Sequence, residues 1–269
     1  MAIAVVRPAD APQPGDGYVQ SFARGLEVIR SFSAQAPQQT LSEVASRTGL
    51  SRAGARRILL TLQTLGYVET DGRLFRLTAR ILDLGFAYLS SMPIWSLADP
   101  VMEALVEEVK ESCSAAVLDG TDIVYVLRVP VHKIMRISLG VGSRLPAYCT
   151  SMGRVLLAGL PDAQAEQRLA ASDRQPLTRA TLTELDALMA SVRQARQQGW
   201  CLVDQELEEG LISLAAPITD RAGTTVAALN ISGQANRTSA SVMQATMLPQ
   251  LLAAARRIST LLAGRPTPG

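Results

Sequence analysis

The sequence predicts a winged helix-turn-helix, then a linker helix, then an α+β domain. Three observations support this order: short amphipathic helices separated by a tight turn, an Asp-Gly hairpin directly after them, and a change near residue 96 to alternating helices and strands. With 48% hydrophobic residues among 269, the chain can bury cores in two domains. We expect a disordered tail (1–20), a winged helix-turn-helix (21–78), a linker helix (79–92) and an α+β domain (93–264).

Composition excludes several classes of protein. No apolar stretch approaches the ~20 residues of a membrane helix, and the first residues lack the pattern of a signal peptide, so we expect a cytoplasmic protein with no membrane partner. Three cysteines without a CxxC pair and a single histidine, His132, predict neither a disulfide framework nor a zinc site. They also leave little for nucleophile-histidine catalysis. We expect no cofactor, no metal and no catalytic residue.

Positive charge is concentrated near the front. Residues 21–80 hold nine arginines against four acids, whereas residues 81–269 hold sixteen bases against eighteen acids. A basic module on a mildly acidic body suggests contact with a polyanion, with chance surface variation as the alternative.

The front module begins with two predicted helices. The first, 21–33, repeats an apolar residue every three or four positions, at Phe22, Leu26, Ile29 and Phe32. Thr40 and Glu43 form a capping box that opens the second helix, which ends at Gly49. Ser51 caps the next helix at once, and so short a turn is typical of a helix-turn-helix.

The third helix, 52–65, predicts a DNA-binding surface. Its apolar stripe comprises Ala55, Ile58, Leu59, Leu62 and Leu65. At ~100° per residue, Ala53, Arg56 and Arg57 fall on the opposite side, with Arg52 at the flank. Arginines in the first turns of such a helix can bind guanine or phosphate in the major groove; a solvated charged face is the alternative.

Residues 67–77 are typical of a hairpin about Asp71-Gly72, which would form the wing. Phe75 and Leu77 would face the core, while Arg73 at the tip would reach a phosphate or the minor groove. The predicted DNA-binding residues are therefore Ser51, Arg52, Ala53, Arg56, Arg57 and Arg73.

The segment 78–91 has almost no polar face. A helix that is apolar all round must be buried. Burial against a second subunit would place two recognition helices on a two-fold axis, matching a palindromic operator. Packing on its own second domain is the alternative.

The rest of the chain alternates between helices and strands. Helices are predicted at 97–110, 151–160, 162–171, 183–198 and 238–263. Strands are predicted at 113–118, 122–129, 134–139, 200–204, 211–217 and 225–232. Hairpins in a strand-rich middle bracketed by helices indicate an antiparallel sheet with helices on its faces.

A candidate ligand site lies at the start of the helix from 151. Pro146 forces an extended entry, and Cys149-Thr150-Ser151 brings hydroxyls and free amides to the helix N-terminus, where a carboxylate can bind. The alternative is a plain N-cap with no ligand.

Three stretches of the second domain, together with the winged helix, resemble the IclR family of bacterial transcriptional regulators. These stretches are LPAYCTSMGRVLLA (145–158), the run from Asp204 through EEGLISLAAP to 217, and AALNISG (227–233). The resemblance covers about residues 20–263. The CTSMGR motif (149–154) most resembles that of the subgroup that controls aromatic-acid breakdown through the β-ketoadipate pathway.

The resemblance implies a homodimer, often associating further into a dimer of dimers, that binds double-stranded operator DNA. It also implies a GAF-like second domain that holds a small organic acid. Carried over by motif, and with Thr150 added from the helix start, the effector-binding residues are Thr150, Ser151, Met152, Asp204, Leu211, Ser213, Asn230 and Ser232.

The side chains of these residues are also suited to binding an organic acid. Ser151 and its amide could hold a carboxylate, while Ser213, Asn230 and Ser232 could bind a second oxygen. Asp204 would repel an anion, so we expect it to accept from a ligand hydroxyl or from backbone. Two further residues, Arg136 and Arg144, are candidates for a second carboxylate or for surface ion pairs. Thr150, Ser213 and Ser232 could instead only satisfy backbone.

The resulting expectation is a DNA-binding regulator of aromatic-acid catabolism genes. Its effector would be an aromatic carboxylate or a β-ketoadipate-type dicarboxylate. Two alternatives remain: a hydrolase using Cys149 or Ser151 as nucleophile, and a DNA-binding dimer that senses nothing.

Overall fold

The computed structural model describes residues 15–91, 94–131 and 139–263. These residues divide into two compact units, one up to residue 91 and the other from residue 94 onward. Residues 1–14 of the predicted tail and most of the predicted strand 134–139 lie outside the described residues, as do His132 and Arg136.

The first unit is a winged helix, as predicted. Its elements are α1 (Gln20–Ser31), β1 (Gln38–Thr40), α2 (Leu41–Thr48), α3 (Arg52–Thr64), β2 (Val68–Thr70) and β3 (Leu74–Leu77). The three strands form an antiparallel sheet in the order β1-β3-β2. A small core of Val28, Val44, Leu59 and Val68 joins the helices to the sheet.

Three residues of the two predicted apolar stripes, Phe22, Leu26 and Leu65, are exposed. Phe22 and Leu26 on α1 are 68% and 43% exposed, and Leu65 is 50% exposed. Val28, in the second half of α1, is fully buried, whereas no described residue of the unit covers Phe22 and Leu26 in the same way. Leu65 lies at the C-cap of α3, beyond the buried stripe. Periodicity identifies an apolar face but not how much of it a neighbour covers.

The predicted linker helix is a short 3₁₀ turn (Ala79–Ile81) followed by α4 (Leu82–Ser91). None of the α4 side chains is buried, and Leu82, Leu84, Phe86 and Tyr88 are between 46% and 70% exposed. Exposed apolar surface of this kind is typical of interaction sites.

The second unit is the predicted α+β domain. Its helices are α5 (Ile94–Val109), α6 (Ser151–Ala158), α7 (Asp162–Ala171), α8 (Leu185–Gln198), α9 (Ala240–Thr246) and α10 (Leu248–Ala263). Its strands are β4 (Ser112–Asp119), β5 (Asp122–Val129), β6 (Arg144–Pro146), β7 (Cys201–Asp204), β8 (Leu211–Thr219) and β9 (Thr225–Gln234).

Within the described part of the chain, these six strands form one antiparallel sheet in the order β6-β5-β4-β9-β8-β7. Alternate residues of β8 face opposite sides of this sheet. Ala215 packs in a core with α6 and α8, while Ile212 and Leu214 are buried on the side where α10 lies. Helices therefore cover both faces, and the first turn of α6 meets the ends of β8 and β9.

Two elements of this unit differ from the prediction. The helix predicted over 238–263 is two helices, α9 and α10, because Pro249 lacks the N–H that a continuous helix needs. Strand β6, with three residues, was not predicted since so short a run shows no periodicity.

Among the described residues, no single helix has the length and apolar character to cross a membrane; the consecutive helices 79–91 and 94–109 meet that criterion only when taken together.

Candidate functional sites

The two helices of the helix-turn-helix motif, α2 and α3, are bounded as the capping pattern predicted. Glu43 N–H donates to Thr40 Oγ1 (3.3 Å) and Thr40 N–H donates to Glu43 Oε2 (2.7 Å), which lowers the pKa of Glu43. Gly49 ends α2 with a left-handed φ of 65°, a conformation that favours glycine. A turn of three residues, 49–51, separates α2 from α3.

One side of α3 is free for a large ligand. Ser51 caps the helix by accepting from Gly54 N–H (3.1 Å), and Leu59 is buried on the inner side. The predicted contact residues Arg52, Ala53, Arg56 and Arg57 are all exposed. No carboxylate of the described chain forms an ion pair with any of these three arginines. The N-terminal half of α3 therefore presents unneutralised positive charge.

The wing, formed by the hairpin of β2 and β3, presents a further exposed arginine at its tip. Asp71 Oδ1 accepts from the backbone N–H groups of Arg73 (2.9 Å) and Leu74 (2.7 Å), which tightens the turn and lowers the pKa of Asp71. Arg73 is exposed at the tip without an ion pair among the described residues. Arg76, by contrast, is held by Glu69 across the hairpin at 2.6 Å.

The second unit contains a small cavity of about 30 Å³, partly open to solvent, beside the first turn of α6. Seven of the eight predicted effector residues line it: Thr150, Ser151, Met152, Leu211, Ser213, Asn230 and Ser232. Five lining residues were not predicted: Tyr125, Leu145, Cys149, Val203 and Leu207. The alternation along β5 and β7 could have indicated Tyr125 and Val203, whereas Leu207 lies in a loop without periodicity.

Asp204 does not line the cavity, contrary to the prediction. It ends β7 and is exposed, whereas Val203 beside it is buried and lines the cavity. Successive side chains of a strand point to opposite faces, so placing Val203 inward turns Asp204 away. A motif match alone does not reveal this orientation.

A glycine sets the approach of α6 to the preceding chain. A Cβ on Gly153 would lie 2.2 Å from the carbonyl oxygen of Ala147, too close for any other residue without movement of the backbone. Thr150 Oγ1 donates to Pro146 O (3.0 Å) and accepts from Gly153 N–H (3.2 Å), so its hydroxyl serves the cap. The amides of Ser151 and Met152, in the same first turn, are those left to face an anion.

Hydroxyl groups converge at the polar end of the cavity. Ser151 Oγ lies 2.7 Å from Ser213 Oγ, which lies 3.3 Å from Ser232 Oγ. Asn230 Nδ2 donates to Ser213 Oγ (3.1 Å) and to Ser232 Oγ (2.9 Å). The remaining lining is mostly apolar, and this combination is typical of a small-molecule site.

Nearby charges are already paired with one another. Arg154 forms a bidentate ion pair with Glu206 (2.7 and 2.5 Å) that is almost fully buried. Arg144 binds Asp119 (2.6 Å) and Asp122 (3.2 Å) at the surface, so it forms the predicted alternative, a surface ion pair. Among the described residues, no charged side chain lines the cavity.

The cysteines have little nucleophilic character. Burial raises the pKa of Cys149 to about 12 and that of Cys201 to about 11, and it also raises the pKa of Cys113. A thiol with so high a pKa stays protonated at neutral pH and is a poor nucleophile. The described residues hold no cluster of three or more side chains that could bind a metal.

Comparison with known proteins assigns both units. The chain matches the family profiles "IclR helix-turn-helix domain" over residues 21–72 and "Bacterial transcriptional regulator IclR C-terminal" over residues 86–260. It is 43% identical to the Pca regulon regulatory protein of Pseudomonas putida, covering 92% of this chain and 85% of the relative.

Solved structures agree with both the fold and the relatives. A candidate transcriptional regulator from Rhodococcus sp. RHA1 is 51% identical with a TM-score of 0.82, covering 91% of this chain and 98% of that one. The inducer-binding domain of the PobR transcription factor from Acinetobacter, a double mutant in complex with 3-hydroxybenzoic acid, is 30% identical with a TM-score of 0.58. It covers 62% of this chain and 98% of that domain.

Proposed function

Since this chain belongs to the IclR family of bacterial transcriptional regulators, we propose that it binds operator DNA and controls genes of aromatic-acid breakdown in response to a small organic acid. Residues 21–78 would bind DNA, residues 79–92 would link subunits, and residues 93–264 would hold the effector. Such a protein works on the chromosome, so we place it in the cytoplasm.

The unpaired arginines of α3 support the DNA interface most strongly. Exposed arginines at a helix N-terminus, carried by a helix-turn-helix, match the geometry that enters the major groove. Ala53 and the N-cap residue Ser51, on the same turn, are small enough to let the helix approach the base edges. Arg73 at the wing tip adds a phosphate or minor-groove contact.

A gel-shift assay on DNA flanking the gene tests this interface. Arg56→Ala combined with Arg57→Ala should abolish retardation. Arg73→Ala should weaken retardation and reduce the salt slope by about 0.9 for each phosphate that the variant no longer neutralises. Arg193→Ala is the matched control, since Arg193 is an exposed arginine of the other unit paired with Asp162. Full retardation by the α3 variant would refute the assignment of α3.

The effector site follows from the donors around the cavity. The first amides of α6 and the hydroxyls of Ser151, Ser213 and Ser232 would bind oxygens of the acid. Met152 and Leu211, with the other apolar lining residues, would pack on its carbon skeleton. The 3-hydroxybenzoic acid bound by the PobR domain is an acid of this class.

Thermal unfolding with a panel of acids tests the site. At 100 times its dissociation constant, a ligand stabilises by about 2.7 kcal/mol. We expect 3-hydroxybenzoate, 4-hydroxybenzoate, protocatechuate or β-ketoadipate to raise the melting temperature, and Ser213→Ala to reduce the effect. Asp204→Asn is the control and should change nothing, since Asp204 faces away from the cavity. No stabilisation by any acid would favour a DNA-binding dimer that senses nothing.

The open apolar face of α4 supports a homodimer. Leu82 and Phe86 are 70% and 68% exposed in the single chain, a cost that a second copy would remove. We expect light scattering to give at least twice the 28.7 kDa of one chain, with a dimer of dimers giving four times. Leu82→Glu with Phe86→Glu should yield monomers, while Leu177→Glu, at an exposed leucine of the other unit, should not.

A further inference from the structure

We infer that Asn230 is a positioning residue: it sets the serine hydroxyls of the cavity as hydrogen-bond donors toward the ligand, so that the site prefers a carboxylate over the corresponding neutral amide. This inference rests on the effector site proposed above. It assigns Asn230 to the hydroxyl cluster, whereas sequence reasoning made it a direct ligand contact.

The orientation of the Asn230 amide is set by backbone. Strand β4 pairs Ser114 with Asn230, and the Ser114 N–H donates to Asn230 Oδ1 at 3.0 Å. A backbone N–H can only donate, so the oxygen of the side chain must face β4 and the nitrogen must face the cavity. Asn230 is 3% exposed, which leaves its side chain little freedom to turn over.

Both Nδ2 hydrogens then go to serine oxygens. Asn230 donates to Ser232 Oγ (2.9 Å) and Ser213 Oγ (3.1 Å), and each hydrogen bond occupies a serine lone pair while leaving the serine hydrogen free. Ser213 Oγ in turn lies within hydrogen-bond distance of Ser151 Oγ, 2.7 Å away at the N-terminus of α6, so Ser151 belongs to the same cluster.

The cluster has more hydrogens than it uses in its internal hydrogen bonds. The amide nitrogen supplies two hydrogens and the three serines supply one each, five in all, against four hydrogen bonds within the cluster. At least one hydroxyl hydrogen remains for the ligand, or two when the 3.3 Å hydrogen bond between Ser213 and Ser232 opens. A carboxylate accepts hydrogen bonds only, whereas an amide must also place two hydrogens of its own.

Asn230→Asp reverses this balance with almost no change of shape. The carboxylate would accept from Ser114 N–H and take hydrogens from Ser213 and Ser232, leaving three hydroxyl hydrogens for the same four hydrogen bonds. None would then be directed at the ligand, and a negative charge would face the bound acid. A role limited to packing predicts no such selectivity.

Calorimetry with an acid and its amide measures the effect. The wild-type protein should bind 4-hydroxybenzoate or 3-hydroxybenzoate at least tenfold more tightly than the corresponding hydroxybenzamide, and Asn230→Asp should lower this ratio at least tenfold. Asn236→Asp, the same change at an exposed turn, should leave the ratio unaltered. If Asn230→Asp does not fold, the exchange of the Asn230 side-chain hydrogens in the wild-type protein, described next, still tests the orientation of Asn230. An equal loss of both ligands would overturn the inference.

A second measurement needs no ligand. Asparagine occurs only at 230 and 236, so selective ¹⁵N-asparagine labelling gives two side-chain NH₂ groups, and Asn236→Asp identifies the one from Asn230. Both Asn230 hydrogens should exchange at least tenfold more slowly than those of Asn236, and Ser232→Ala should remove protection from one. Fast exchange with acid binding intact would overturn this inference alone. If the wild-type protein bound none of the acids, the proposed effector class would fall, and this inference with it.

Discussion

Removing the carboxylate of Glu206 should destabilise the second unit severely. Glu206→Gln leaves the guanidinium of Arg154 buried without its counter-charge, with both side chains less than a tenth exposed. Breaking a buried ion pair from one side costs about 3–5 kcal/mol. At about 2–4 °C per kcal/mol for a domain of this size, the melting temperature should fall by roughly 6–20 °C.

The assay can be confined to that unit. The chain has two tryptophans, Trp95 on α5 and Trp200 just before β7, and both belong to the second unit. Urea unfolding followed by tryptophan fluorescence therefore reports the second unit alone. Asp162→Asn is the control: it removes the partner of two exposed arginines, where an ion pair contributes about 0–1 kcal/mol.

A double-mutant cycle identifies the cause. Arg154→Met combined with Glu206→Gln leaves no orphaned charge, so it should be more stable than the sum of the single changes by about 1–3 kcal/mol. The pair also joins α6 to the segment bearing Leu207, and Leu207 lines the cavity. Acid affinity should therefore fall with Glu206→Gln. A shift no larger than that of Asp162→Asn, or strict additivity, would refute the reasoning.

Three further outcomes are expected. Gly153→Ala should destabilise the second unit by the same fluorescence assay, because a Cβ 2.2 Å from the Ala147 oxygen costs more than the ~1 kcal/mol that alanine gains in a helix; an equal or raised urea midpoint would contradict the close approach. Thr40→Ala should cost about 1 kcal/mol and speed amide exchange in α2, while Thr40→Ser should not; unchanged exchange would show that the capping box contributes little. Cys149 and Cys201 should resist a thiol reagent at pH 8 until the protein unfolds. Burial raises their pKa values from 9.0 to about 12 and about 11, so the folded protein keeps both thiols protonated above pH 9.0 while the unfolded chain loses the protons. The free energy of unfolding should therefore be unaffected below pH 9.0 and should fall as the pH rises from 9.0 toward those values, by ~1.4 kcal/mol per pH unit for each thiol. A urea midpoint that does not fall between pH 8 and pH 10 would contradict the burial.

Local patterns predicted most of the N-terminal unit. The capping box at Thr40, the glycine at 49 and the Asp71-Gly72 turn act through hydrogen bonds and backbone angles within a few residues, so they can be recognised without the fold. The basic side of α3 follows from helical periodicity in the same way. Coverage of an apolar face does not follow from periodicity: Phe22 belongs to the predicted apolar stripe of α1 and is exposed.

The α+β class of the second unit was also predictable, since hairpins between helical segments require an antiparallel sheet. The short strands β1 and β6 were not, because their pairing depends on strands distant in sequence. Pro249 marked the break before α10, although the helix was predicted as continuous.

The candidate effector site was likewise predictable only in part from the sequence. Sequence motifs identified the hydroxyl residues and the start of α6, because residue types and a helix N-terminus are readable from the order of amino acids. The direction in which Asp204 points, the anchoring of Asn230 by Ser114 and the pairing of Arg154 with Glu206 depend on contacts between segments 52 to 116 residues apart, or on which face of a strand is covered. Such contacts are set by packing of the whole domain, and local propensity contains no record of them.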